Sequence, residues 1–208
     1  MALALLTTGA FGASQSSDVS DIANQLIGHP KDRFPLKIYA DSTGSRDFDS
    51  VIREAVGQWN QVFESQFGIP AFAWSNNKQK AQVLIQFSSA SSVHRAMGET
   101  DLDADKDGVI RLPVKITLVW PKSRGKTGAR QVLFDVAAHE LGHALGLPHI
   151  NKPASIMCCD AKAIDFENPT ARDAYVAARR HPDLDEVAPD LAARYRKFWG
   201  QQNKQLPR

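Results

Sequence analysis

Hydrophobic and polar positions repeat along this chain with two periods, and the switch between them marks out strands and helices. In PLKIYA (Pro35 to Ala40) apolar residues alternate and the stretch ends in the turn-forming DSTGS, so it reads as a strand. From Phe48 to Phe67 the period becomes helical. Val51, Ala55, Trp59 and Val62 or Phe63 recur at three or four positions, and Gly68 with Pro70 closes the run. A helix with one such stripe must pack on something, and the next segments supply it. AFAW (Ala71 to Trp74) is a short strand candidate, AQVLIQF (Ala81 to Phe87) a strong one, and VKITLVW (Val114 to Trp120) a third. Between the last two, SVHRAMGET (Ser92 to Thr100) is less apolar and suits a solvent-facing edge strand near Val93 to Gly98.

A second long helix is expected from Gln131 to Leu145. At about 100° per residue, Phe134, Ala138, Leu141 and Leu145 fall within about 60° of one another, a stripe for the core. His139 and His143 fall on nearly the opposite side, about 40° apart and one turn from each other. Further on, NPTARDAYVAARR (Asn168 to Arg180) reads as a helix stopped by His181-Pro182. APDLAARYRKFWG (Ala188 to Gly200) reads as the last helix, with Leu191, Tyr195 and Phe198 or Trp199 on one stripe.

The ends carry weaker patterns. Met1 to Ala13 is uncharged and mildly apolar, like the body of a secretory signal without its basic start, and Ser14 to Gly28 suits a short helix or linker. The expected division is therefore a weak signal and linker over 1–33, a folded domain beginning near Phe34 and running over 34–200, and a disordered tail over 201–208.

Composition narrows the picture. A chain of 208 residues with 43% hydrophobic content fits one domain with a sizeable core. Net charge is only +2, so no strong field favours nucleic acid or an anionic membrane, and no stretch of about 18 apolar residues could span a bilayer. A soluble monomer without nucleic-acid or membrane partners is expected. The two cysteines, Cys158 and Cys159, are adjacent and poorly placed to bridge to each other, so no disulfide is expected.

Two stretches invite a functional label. DLDADKDGVI places Asp103, Asp105 and Asp107 before Gly108 like the first half of a calcium loop, but Val114 stands where a bidentate Glu is needed. An acidic hairpin turn is the preferred reading over calcium. GKTG (Gly125 to Gly128) resembles a phosphate loop, but Trp120 occupies the position of the first glycine, which rejects nucleotide binding.

The chemistry concentrates in HELGHALGLPHINKPASIM, His139 to Met157. His139 and His143 share a helix face, Glu140 lies beside them, and Gly146 can adopt the left-handed conformation that returns His149 to the same point. Three neutral imidazoles bind Zn²⁺ and leave a fourth position open, the mark of a catalytic site. Zinc brings the pKa of a water there to ~7, Glu140 can take its proton and pass it to a leaving amine, and the chemistry implied is amide hydrolysis. HExxH alone arises by chance on ordinary helices. A required Gly, at ~7% background, and a third His make coincidence rarer by a further factor of several hundred.

VAAHELGHALGLPH followed by SIM resembles the metzincin zinc endopeptidases, and among them the matrixins. The resemblance implies an α+β, zincin-like fold: a twisted mixed sheet of about five strands, an edge strand at the cleft, a backing helix, a zinc-binding helix and a small helical C-terminal subdomain. It implies His139, His143 and His149 as ligands of one catalytic Zn²⁺, Glu140 as general base, and Met157 as the Met-turn residue beneath the metal. It further implies a polypeptide substrate paired to the edge strand and a secreted or periplasmic location.

Departures are as specific. No cysteine precedes Cys158, so a cysteine cap on the zinc is not expected. Outside the motif only His29, His94 and His181 remain, too few in the right region for a second zinc. Cys159 stands where some relatives place a zinc-binding Tyr, and 160–187 is longer than the family usually has there. Two other readings share this site: a peptide-binding module with weak or no catalysis, and an amidase acting on small or cell-wall peptides.

Overall fold

The computed structural model describes residues 25–88, 97–120, 128–152, 154–158, 165, 167–178 and 184–205. Nine main elements follow in order: β1 (Leu36–Ala40), α1 (Arg46–Phe67), β2 (Phe72–Trp74), β3 (Val83–Ser88), β4 (Gly98–Asp101), β5 (Val114–Val119), α2 (Ala129–Ala144), α3 (Pro169–Ala178) and α4 (Ala188–Gln205). The strands form one five-stranded sheet ordered β2-β1-β3-β5-β4. All pairings are parallel except β4 with β5, which is antiparallel. This is the expected α+β mixed sheet.

Each strand of the parallel part buries alternate residues: Leu36 and Ile38 on β1, Val83 and Ile85 on β3, Val114, Ile116 and Leu118 on β5. That face receives α1, whose stripe Val51, Ala55, Trp59, Val62 and Phe63 is buried as the periodicity demands. Ser45 caps α1 at its start, and Gly68 in the left-handed region (φ 72°) ends it. Asn60 on α1 pairs with the backbone of Phe72, donating to its carbonyl at 3.0 Å and accepting from its N–H at 2.7 Å. One sheet edge is thereby partly occupied, and β4 forms the other edge among the described residues.

Helix α2 packs against α1, β4 and β5. The expected stripe of Phe134, Ala138, Leu141 and Leu145 is buried, but so are Asp135, Glu140 and His143. The two-faced helix read from the sequence is thus a central helix enclosed on nearly all sides.

Three more expectations shift. Packed structure begins upstream of Phe34: Ile27 and His29 are buried, Gly28 donates to Gly108 O at 3.0 Å, and Ile110 donates to Gly28 O at 2.9 Å. That strap is held by backbone bonds to distant segments, which no local pattern reveals. Among the described residues, β4 pairs with β5 over Gly98–Asp101, while most of the expected edge strand near Val93 to Gly98 lies outside them. Residues 89–96 lie outside the described residues, as do Met1 to Ala13 and Gly125 to Thr127.

Helix α4 runs through Gly200 to Gln205, so the first five tail residues are helical. A mid-helix glycine costs about 1 kcal/mol, which α4 offsets by burying Leu191, Tyr195 and Phe198. Cys158 is disulfide-bonded, against the expectation of free thiols. The chain's one other cysteine, Cys159, lies outside the described residues. Sequence adjacency makes ordinary disulfide geometry difficult but does not forbid a bond.

The acidic stretch is a hairpin turn as expected. Asp105 Oδ1 accepts from the N–H groups of Asp107 and Val109, and Asp103 pairs with Arg111 at 3.0 Å. No helix among the described residues is long and apolar enough to cross a membrane.

Candidate active site

The Nε2 atoms of His139, His143 and His149 converge to 3.0, 3.0 and 3.1 Å from one another. These contacts are not ordinary hydrogen bonds. His139 Nδ1 lies 2.8 Å from Ile156 O and His143 Nδ1 lies 2.7 Å from Leu147 O. A carbonyl only accepts, so both Nδ1 atoms carry the proton and both Nε2 atoms present lone pairs. Facing lone pairs at this distance repel unless a cation lies between them.

The geometry fits one. Three imidazole nitrogens drawn this close together match the nitrogen donor set that a tetrahedral zinc would take. Backbone carbonyls at the second ring nitrogen fix the tautomer and orientation, as metal-ligating histidines require. The donor set therefore suits zinc, and the three histidines are the one such group among the described residues.

Each histidine is held by a separate device. Helical spacing sets His139 and His143 one turn apart on α2. Gly146, at φ 83°, ends the helix, and a Cβ there would stand 2.8 Å from Ile27 O, so glycine is needed for the reversal and for the strap beneath it. The chain beyond Gly146 carries His149 back to the other two. The turn Ser155 to Cys158 then runs under α2, with Ile150 N–H bonded to Met157 O at 3.0 Å. Met157 is buried against Gly142: a Cβ on Gly142 would overlap Met157 Sδ and press on Trp59 at 3.0 Å. The motif's first glycine thus lets the methionine sit directly against the helix.

Glu140 is only 5% exposed. Burial pushes its pKa up to about 7, opposed by a hydrogen bond from Thr100 and reinforced by the charge of Glu99. A cation held by the imidazoles would draw it down again. Thr100 Oγ1 donates to Glu140 Oε2 at 2.6 Å.

All four residues expected from the sequence meet here: His139, His143 and His149 as a converged set, with Glu140 on the same helix. Sequence reasoning did not find Thr100, Gly98, Gly142 or the carbonyls of Leu147 and Ile156. A glycine in a strand signals close backbone approach, which could have drawn attention to Gly98. Nothing local marks Thr100, whose role depends on the fit of β4 to a helix 40 residues away. Cys159 and His94 lie outside the described residues.

A parallel sheet finished by an antiparallel edge strand, lying along a buried helix that supplies two of three converging imidazoles, defines a metzincin-type α+β domain. The family model for matrixins, peptidase family M10, matches residues 29–173. The chain belongs to the matrixin family. Matrix metalloproteinase-16 of Rattus norvegicus is 28% identical over 167 residues, which cover 71% of this chain and 25% of that protein. Macrophage metalloelastase of Oryctolagus cuniculus is 31% identical over 136 residues, 60% of this chain and 26% of that protein. The chain spans about a quarter of the length of the curated relatives it matches.

Proposed function

We propose that this protein is a zinc-dependent endopeptidase that hydrolyses peptide bonds of polypeptides, with His139, His143 and His149 as zinc ligands and Glu140 as general base. The observation that carries the reading is the convergence of three Nε2 atoms within 3.0–3.1 Å, two of which, on His139 and His143, present lone pairs because their Nδ1 partners are carbonyls. Such an arrangement has no purpose in a structural core.

When bound, zinc supplies Lewis acidity that polarises a carbonyl and makes a water nucleophilic at neutral pH. The chain's own groups do the rest. Glu140, raised toward neutrality by burial, accepts a proton from the attacking water and returns it to the leaving amine. An extended substrate adds to the free edge of β4, since the opposite edge is engaged at Phe72 by Asn60. Met157 acts as the Met-turn residue, an apolar floor that keeps the ligand helix from sinking. The N-terminal pattern and the family favour a secreted or periplasmic protein.

The test measures zinc content and chelator-sensitive cleavage of an unfolded protein substrate, beside Glu140→Ala. One zinc per chain with cleavage lost in the variant is expected. Zinc binding without cleavage would favour a peptide-binding module instead.

A further inference from the structure

Two residues of β4 approach Glu140 from the same face of the strand. Thr100 Oγ1 lies 2.6 Å from Glu140 Oε2 and 3.1 Å from Glu140 O. A hydroxyl has one proton, and the shorter contact, to the carboxylate oxygen, takes most of it. Two residues earlier, a Cβ on Gly98 would stand 2.7 Å from Glu140 Cγ, from Glu140 Oε1 and from Val136 Cγ1. Residues two apart on a strand share a face, so any side chain at 98 would displace the carboxylate. Among the described residues Oε1 accepts no hydrogen bond, while Oε2 is held.

We propose that Thr100 is a positioning residue that fixes Oε2 of Glu140, so that Oε1 alone exchanges the proton, and that Gly98 provides the space this orientation needs. The inference rests on the reading of Glu140 as general base. It divides the two carboxylate oxygens between anchorage and proton transfer. It also ties the base to β4, the strand whose open edge would receive the substrate.

The experiment uses the full chain loaded with zinc and one fluorogenic peptide, with wild type, Glu140→Ala, Thr100→Val and Thr100→Ser. Cleavage by wild type and not by Glu140→Ala secures the underlying reading; equal inactivity of both would overturn that reading and this one with it. Once it is secured, Thr100→Val, which keeps the shape and loses the proton, is expected to lower kcat by roughly 10- to 100-fold with KM within about twofold. Thr100→Ser should recover wild-type kcat to within about threefold. Thr100→Ala replaces the valine variant if the latter fails to fold.

Crystal structures of the same zinc-loaded proteins give a readout independent of turnover. Glu140 Oε2 should stay bonded to residue 100 in wild type and Thr100→Ser, and the carboxylate should rotate in the variant without a hydroxyl. Unchanged kcat in that variant, a loss confined to KM, or an unmoved carboxylate would overturn the proposal.

Discussion

The indole N–H of Trp59 donates to the carbonyl of Ala138 at 2.8 Å, joining the middle of α1 to α2 one residue before the first histidine of the triad. Trp59 is fully buried and also touches the position where a Cβ on Gly142 would lie. The backing helix therefore sets the height of the histidine-bearing helix. Trp59→Phe should cost about 1–3 kcal/mol, from a lost hydrogen bond and a small cavity. Urea unfolding of the zinc-loaded protein measures it, and an unchanged midpoint would show the contact to be incidental.

Gly142→Ala forces a methyl group into Met157 Sδ. Overpacking of this kind costs about 1–3 kcal/mol. Because the displaced turn carries Ile156, whose carbonyl orients His139, zinc affinity should fall along with stability. Competition with a chromophoric chelator reads the affinity; a loss of stability with full affinity would separate the turn from the triad.

Zinc removal should lower the melting temperature, since a ligand that binds only the folded state stabilises it by mass action. The lowering should be largely absent in His149→Ala, which leaves two imidazoles. Equal chelator sensitivity in both proteins would place the metal elsewhere.

His29 gives the acid limb of stability. Burial lowers its pKa from 6.5 to about 4, outweighing the hydrogen bond to Ala144 O, with Arg33 adding to the lowering. The unfolded chain binds the proton near pH 6.5 and the folded chain only near pH 4. Stability from this group is thus complete above 6.5, declines as pH falls through the interval, and loses about 3 kcal/mol by pH 4. Unfolding free energies between pH 4 and 7 should show this slope in wild type and a shallower one in His29→Gln. Parallel curves for the two proteins would contradict the assignment.

Cys158 should resist a maleimide in the unreduced, denatured protein and react after reduction, because it is disulfide-bonded. Peptide mapping by mass spectrometry reports the modified residue. Labelling at Cys158 without reductant would show a free thiol.

The α1 stripe was legible because Val51, Ala55, Trp59 and Phe63 are repeated contacts with one neighbour, and repetition is what a period detects. The triad was legible because two of its histidines sit at fixed helical spacing and the third follows a glycine stop. Glu140 was legible by position, but its burial was not. The helix around it reads as amphipathic only if its polar residues face water, and here Asp135, Glu140 and His143 are all buried. The Ile27 to His29 strap and Thr100 depend on single backbone or side-chain contacts between distant segments, and single contacts leave no period. Helix α3 matches its sequence pattern and stays exposed at most positions, capped by Asn168.

The C-terminal end of α2 is fastened from both ends of the chain. His29 bonds to Ala144 O, and Tyr195, 50 residues beyond, donates to Leu145 O at 3.0 Å while Trp199 donates to His29 O at 2.9 Å. Synthesis order gives this arrangement a temporal meaning. The histidines leave the ribosome before α4, so the bond from Tyr195 to Leu145 O forms only once that helix is made. Nascent chains thus carry the three histidines before the α4 clasp on the end of α2 is in place.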